Sequence, residues 1–142
     1  MAAFPLRNGT DEHAEDGYGF EHPADIIVTA QQWWWSAEYV SEALCRPAGS
    51  NDPSLPYRMK TANEIHIPVG FPVEIALVSR DVIHSFWIPS LGGKMDMVPG
   101  RTTHLALHPT QTGLFAGACA EYCGTSHALM RFYAEVVDGN AF

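Results

Sequence analysis

Positive charge is scarce in this chain. Its 142 residues carry 8 Lys and Arg against 16 Asp and Glu, a net charge of -8. Such a surface argues against a nucleic-acid partner; it serves solubility, or draws in a basic protein through its field. Long apolar runs are also missing. No stretch approaches the roughly 18 residues that a membrane-spanning helix needs. Met1 to Arg7 has neither the basic start nor the apolar core of a signal peptide. The expectation is a soluble chain, or one separated from a membrane anchor. Cysteine is sparse too: three residues are an odd number, so disulfides cannot account for all of them.

What is present fits one globular domain. Hydrophobic residues make up 46%, with 12 Gly and 10 Pro to supply turns. The length matches a single core-forming module. Residues 1–24 are polar, with Asn-Gly, Asp-Gly and His-Pro breaks, and read as a flexible N-terminal arm. Residues 25–142 read as the domain.

That domain reads as strands. Asp25 to Tyr39 holds Ile26, Ile27, Val28 and the Trp33-Trp34-Trp35 run, all strand formers. Ser36 to Leu44 has a helical option. Arg46 to Pro56 is a loop rich in Pro, Gly and Asn. Tyr57 to Ala62, Glu64 to Ile67, Pro72 to Ser79 and Val82 to Ile88 follow as strands. Pro89 to Gly100 reads as a loop. Arg101 to Leu107, Gly113 to Ala118 and Ala128 to Val137 complete the set. Short strands between Gly/Pro turns predict an antiparallel sandwich or barrel.

The chemistry concentrates in Cys119-Ala-Glu121-Tyr-Cys123-Gly-Thr-Ser-His127-Ala-Leu-Met130, where Cys, Cys, His and Met recur at spacings of 4, 4 and 3. Thiolate, thioether and imidazole together select copper, and a weak methionine ligand points to electron transfer. A mononuclear blue-copper site uses one thiolate, whereas two thiolates on one loop can bridge two metals. Zinc would normally show a second Cys or His pair at short spacing, which is missing. A Cys119–Cys123 disulfide remains possible, but it leaves His127 and Met130 without a role. A two-metal site needs another strong donor, and His84, 35 residues before Cys119, is the best candidate. His66, His104 and His108 read as structural or solvent-facing, and Cys45 as a free thiol in a loop.

The combination resembles the CuA domain of cytochrome c oxidase subunit II over about Asp25 to Asp138. The matching segments, in the family's order, are Gln31-Gln32-Trp33-Trp34-Trp35, Thr61 to Gly70, Ser79-Arg-Asp81-Val-Ile-His84-Ser-Phe-Trp87, Pro89 to Asp96, Pro99-Gly100-Arg101 and the cysteine loop. The resemblance implies an all-β, cupredoxin-like Greek-key sandwich or barrel of short, mostly antiparallel strands. It implies two copper ions, both bridged by Cys119 and Cys123. His84 with Met130 would complete one copper, and His127 with the backbone carbonyl of Glu121 the other.

The same resemblance makes Trp33 the residue that accepts electrons from cytochrome c, with Glu38 and Asp81 among the acids that attract this basic donor. Strand alternation would place Trp33 and Trp35 on one face and Trp34 on the other. Electrons would pass on to the haem of subunit I, and the Glu121 side chain would reach a magnesium ion at that subunit's boundary. Asp96 and Arg101 match positions near the same boundary, or form a plain surface pair. The implied setting is periplasmic, on the outer face of a bacterial plasma membrane, in a protein anchored by helices that this sequence does not contain. Two other readings are a copper-delivery protein and the CuA domain of nitrous oxide reductase. The full ligand set and the Gln-Trp-Trp-Trp segment favour the oxidase.

Overall fold

The computed structural model describes residues 24–40 and 59–139. Cys45, the Arg46 to Pro56 loop and the expected arm up to residue 23 lie outside them. The described residues form ten strands. They are β1 (Ile26–Gln31), β2 (Trp34–Tyr39), β3 (Met59–Ala62), β4 (Glu64–Pro68), β5 (Val73–Ser79), β6 (His84–Trp87), β7 (Met95–Met97), β8 (Thr103–Leu107), β9 (Gly113–Cys119) and β10 (Arg131–Val137). One sheet has the order β3-β2-β1-β5-β8 and the other β4-β10-β9-β6-β7. Two neighbouring pairs, β1–β5 and β4–β10, are parallel, and the rest are antiparallel.

Alternation drives the strands. In β10, Phe132, Ala134 and Val136 are buried while Arg131, Tyr133 and Glu135 are exposed. In β1, Ile26, Val28 and Ala30 face the core and their neighbours are half-buried. A period of two puts one side of each strand against the opposite sheet. Between the sheets, Trp35 lies 5.0 Å from Phe132 and 5.9 Å from Phe86, and those two phenyl rings stack at 4.9 Å. Gly117 sits opposite Phe132 in the β9–β10 pair, and a Cβ there would come within 2.2 Å of the Phe132 ring. The missing side chain makes room for the aromatic cluster.

Four expectations need correction. Asp25 to Tyr39 is not one strand but a hairpin, with Gln32 and Trp33 forming its turn. Trp33 therefore leaves the strand alternation. Trp33 and Trp34 are both exposed, and Trp35 alone of the three is buried. Ser36 to Tyr39, given a helical option in the sequence, belongs to β2, because its pairing with both β1 and β3 satisfies the backbone. The Pro89 to Gly100 loop contains β7, which pairs through His84↔Met97 and Phe86↔Met95. The last strand starts at Arg131 rather than Ala128, since a 3₁₀ turn, His127–Leu129, precedes it.

Asn63 fixes the buried tryptophan. It adopts a left-handed conformation (φ 58°), which Asn tolerates, at the junction of β3 and β4. Its side-chain oxygen accepts from the Trp35 N–H at 2.9 Å, and its own N–H donates to the Trp35 carbonyl at 2.9 Å.

Candidate metal centre

Strand pairing assembles the site. Within the β6–β9 pair, Phe86 stands opposite Cys119, so His84 at the head of β6 comes beside the end of β9. The Ala120 N–H donates to the Ser85 carbonyl at 2.9 Å and holds the two segments together beyond the ladder. The loop from Ala120 to Met130 then closes on itself. The Cys119 N–H donates to the Met130 carbonyl at 3.1 Å, and the His127 N–H to the Gly124 carbonyl at 3.2 Å.

The six sequence-marked donors converge here. The two thiols are buried and free, with their sulfurs 3.8 Å apart. His84 is fully buried, and its Nδ1 lies 3.8 Å from Cys119 Sγ. His127 Nδ1 lies 3.4 Å from Cys123 Sγ, and Met130 Sδ lies 3.7 Å from the same sulfur. The Glu121 carbonyl accepts from the Cys119 thiol at 3.1 Å. His84, Cys119 and Cys123 are compact enough to hold an ion as they stand. The histidines attach to opposite ends of the thiol pair, His84 beside Cys119 and His127 beside Cys123. Soft sulfur and imidazole in this number fit copper.

Asp81 supports His84 from behind. Its Oδ1 lies 2.7 Å from His84 Nε2, which leaves Nδ1 to face the sulfurs. A carboxylate on the outer nitrogen of a ligand histidine fixes the ring's orientation and raises its basicity. The Asp81 carboxylate also accepts from the Val82 and Gln32 N–H groups, each at 2.7 Å. Partial burial pushes its pKa up, but the Gln32, His84 and Val82 hydrogen bonds outweigh this and hold it below the ordinary carboxylate value. The Cys123 thiol is pushed up to about 12, first by burial and then by the neighbouring Cys119.

Trp33 reaches the same loop. Its indole N–H donates to the Cys123 carbonyl at 3.2 Å, and the Gln32 side-chain amide donates to that oxygen at 3.0 Å. The other marked residues are more scattered. Glu38 on β2 pairs with Lys60 on β3 at 3.2 Å. Glu121 turns its carbonyl inward while the residue itself is exposed. Asp96 and Arg101 are both exposed, on β7 and in the turn after it. His66 lies between Glu64 and Glu135 at 3.5 and 3.0 Å, away from the sulfurs. Sequence reasoning gave Gln32 no role. Its signal was its position beside the tryptophan run.

Comparison with known proteins gives this geometry its family. Residues 25–137 match the family model described as cytochrome c oxidase subunit II, periplasmic domain. The chain belongs to that family. It is similar to cytochrome c oxidase subunit 2 of Alkalihalophilus pseudofirmus, 43% identical over 107 residues, covering 75% of this chain and 27% of that protein. Subunit 2 of Branchiostoma floridae is 37% identical over 123 residues, covering 82% of this chain and 54% of the relative. The chain thus spans about half or less of the length of these relatives.

Among solved structures, the periplasmic domain of cytochrome oxidase subunit II from Bradyrhizobium japonicum is 33% identical, with a TM-score of 0.64, covering 82% of this chain and 87% of that one. Another, at 29% identity and a TM-score of 0.62, is a mixed disulfide intermediate between a thioredoxin-like protein and subunit II of cytochrome c oxidase. It covers 82% of this chain and 85% of that one. The all-β, two-sheet architecture is that of this cupredoxin-like family. Among the described residues, no helix is long and apolar enough to cross a membrane.

Proposed function

We propose that this domain is the CuA electron carrier of a haem-copper oxidase, taking electrons from a cytochrome c at Trp33 and passing them toward subunit I. The observation that carries this reading is the pair of buried thiols, 3.8 Å apart, with one histidine at each end. Cys119 and Cys123 would together hold copper through their thiolates, and copper in such a soft-ligand site would supply one-electron transfer. His84, Cys119, Cys123 and His127 would be the strong ligands. Met130 and the Glu121 carbonyl would be the weak ones. Burial of His84, Cys119, Cys123 and Met130 keeps water from the sulfurs.

Trp33 would be the receiving residue. The residue is 37% exposed and its indole N–H bonds the Cys123 carbonyl, so it meets both solvent and the loop. This contact favours an electron relay over a copper carrier, which has no use for an exposed aromatic bonded to its metal loop. Asp81 lies beside the hairpin turn, and with Glu38 it would add to the acidic field that draws in a basic donor. The exposed Glu121 carboxylate would contribute to a magnesium site completed by subunit I. The parent protein would be membrane-anchored, with this domain in the periplasm.

Copper analysis with an EPR spectrum of the oxidised chain tests the proposal. Two coppers per chain and hyperfine structure from two equivalent nuclei are expected. Cys123→Ser should abolish that pattern. One copper per chain, or a pattern that survives in Cys123→Ser, would sink the bridging assignment.

A further inference from the structure

We propose that Gln32 is a positioning residue that locks the Trp33 indole onto the copper loop. The inference rests on the reading above, in which Trp33 receives the electron. Gln32 uses both of its amide groups, and each reaches a different end of the donor cluster. The backbone N–H binds Asp81 Oδ2 at 2.7 Å, and the other oxygen of that carboxylate holds His84 Nε2 at 2.7 Å. The side-chain Nε2 binds the Cys123 carbonyl at 3.0 Å, beside the Trp33 indole N–H at 3.2 Å. One residue of a two-residue turn thereby ties the hairpin to one histidine and one thiol-bearing residue at once.

The Cys123 carbonyl has two lone pairs, and the two donors fill them. Alone, the indole would hold a partly exposed ring at a hairpin tip by a single hydrogen bond, with two side-chain torsions left to relax. The Gln32 amide fixes the tip against the same oxygen and removes that freedom. Gly124 makes the approach possible. A Cβ at that position would stand 3.1 Å from Gln32 Nε2 and from both Nε1 and Cζ2 of Trp33. Its φ of +123° is also one that side-chain-bearing residues rarely adopt. Gln32 touches no donor atom directly, so its effect falls on the contact through which the electron arrives rather than on the metal set.

Two substitutions test this. Gln32→Met keeps the length and removes the donor. Gln32→Glu keeps the shape and turns a carboxylate oxygen toward the Cys123 carbonyl. In the reduced, metal-free full chain, hydrogen exchange of the Trp33 indole N–H should quicken about five-fold in Gln32→Met, as for loss of one ordinary hydrogen bond. It should quicken further in Gln32→Glu. In the copper-loaded chain, electron uptake from reduced cytochrome c should slow by a similar factor, with copper content and EPR pattern unchanged. Wild-type exchange rates in both variants would overturn the proposal. So would loss of the two-nucleus EPR pattern in Gln32→Met, because Gln32 would then hold the ligands rather than the indole. A wild-type chain binding one copper would sink the binuclear reading and leave the exchange result standing.

Discussion

His84 Nε2 stands 2.7 Å from Asp81 Oδ1, and this contact decides which face of the imidazole meets the sulfurs. Asp81 lies three positions before His84 in sequence, yet its side chain is partly exposed where that of His84 is fully buried. Asp81→Asn weakens this support while keeping the shape. Copper affinity should fall by about 10-fold to 100-fold, the usual cost of losing such a partner. A competition titration against a chelator of known affinity would measure it, and an unchanged affinity would make the contact incidental. The depressed Asp81 pKa adds a pH signature. A lowered folded pKa contributes stability that is full above the ordinary value of 3.8 and lost as pH falls through the folded value. The stability gap between the metal-free wild type and Asp81→Asn should therefore shrink below about pH 4.

The Cys123 thiol works in the opposite direction. Its folded pKa is raised from 9.0 to about 12, so the metal-free fold prefers the protonated thiol. That stability is complete below 9.0 and is lost as pH rises toward 12. Urea denaturation of the reduced, metal-free chain should show falling stability between about pH 9 and pH 11, and Cys123→Ala should flatten the fall. Copper must displace that proton, so loading the wild type should release acid. A pH-stat trace without proton release would contradict the buried-thiol picture.

The metal loop was legible because five of its six donors lie within twelve residues. Local spacing is what a sequence displays directly. His84 reads as the best remaining donor, but only the family resemblance raises it above the other histidines, because its approach to Cys119 depends on the β6–β9 pairing, a long-range relationship. The tryptophan run misled for a related reason. Three strand-forming residues read as a strand, and nothing local reveals that the chain reverses at Gln32 and Trp33. Asp81 reads from the sequence as a docking acid; the structure adds its hydrogen bond to His84, set by the bend between β5 and β6, which a list of residue types does not display. The parallel pairs β1–β5 and β4–β10 were likewise invisible, since parallel neighbours are joined through crossovers rather than tight turns.

The aromatic cluster behind His84 should be intolerant of added volume. A Cβ on Gly117 would meet three ring carbons of Phe132 at 2.2 to 2.5 Å, and Phe132 is itself held by Phe86 and Trp35. With no flexible neighbour to yield, Gly117→Ala should cost about 1–3 kcal/mol. For a domain of this size the melting temperature should fall by several degrees. A thermal melt of the metal-free chain would read it. A wild-type melting temperature would mean that the rings shift more freely than their stacking implies.

Trp33 and Trp34 are about equally exposed, at 37% and 40%, but of the two only Trp33 donates to the Cys119–Met130 loop. Under the proposed function, this difference would separate a route for electrons from a merely exposed ring. Trp33→Phe keeps an aromatic surface and removes the N–H that binds Cys123. Electron uptake from reduced cytochrome c should slow by more than 10-fold, while the visible and EPR spectra of the copper-loaded chain stay as in the wild type. Trp34→Phe should leave the rate within about two-fold, since among the described residues no hydrogen bond joins its ring to the metal loop and surface changes of this kind are mild. Stopped-flow mixing at low ionic strength measures both, and a salt series separates docking from transfer, because docking is screened by salt and the transfer step within the complex is not. Equal slowing in the two variants would assign the effect to the loss of apolar docking surface. Slowing in Trp33→Phe alone, unchanged across the salt series, would assign it to the indole's bond with Cys123.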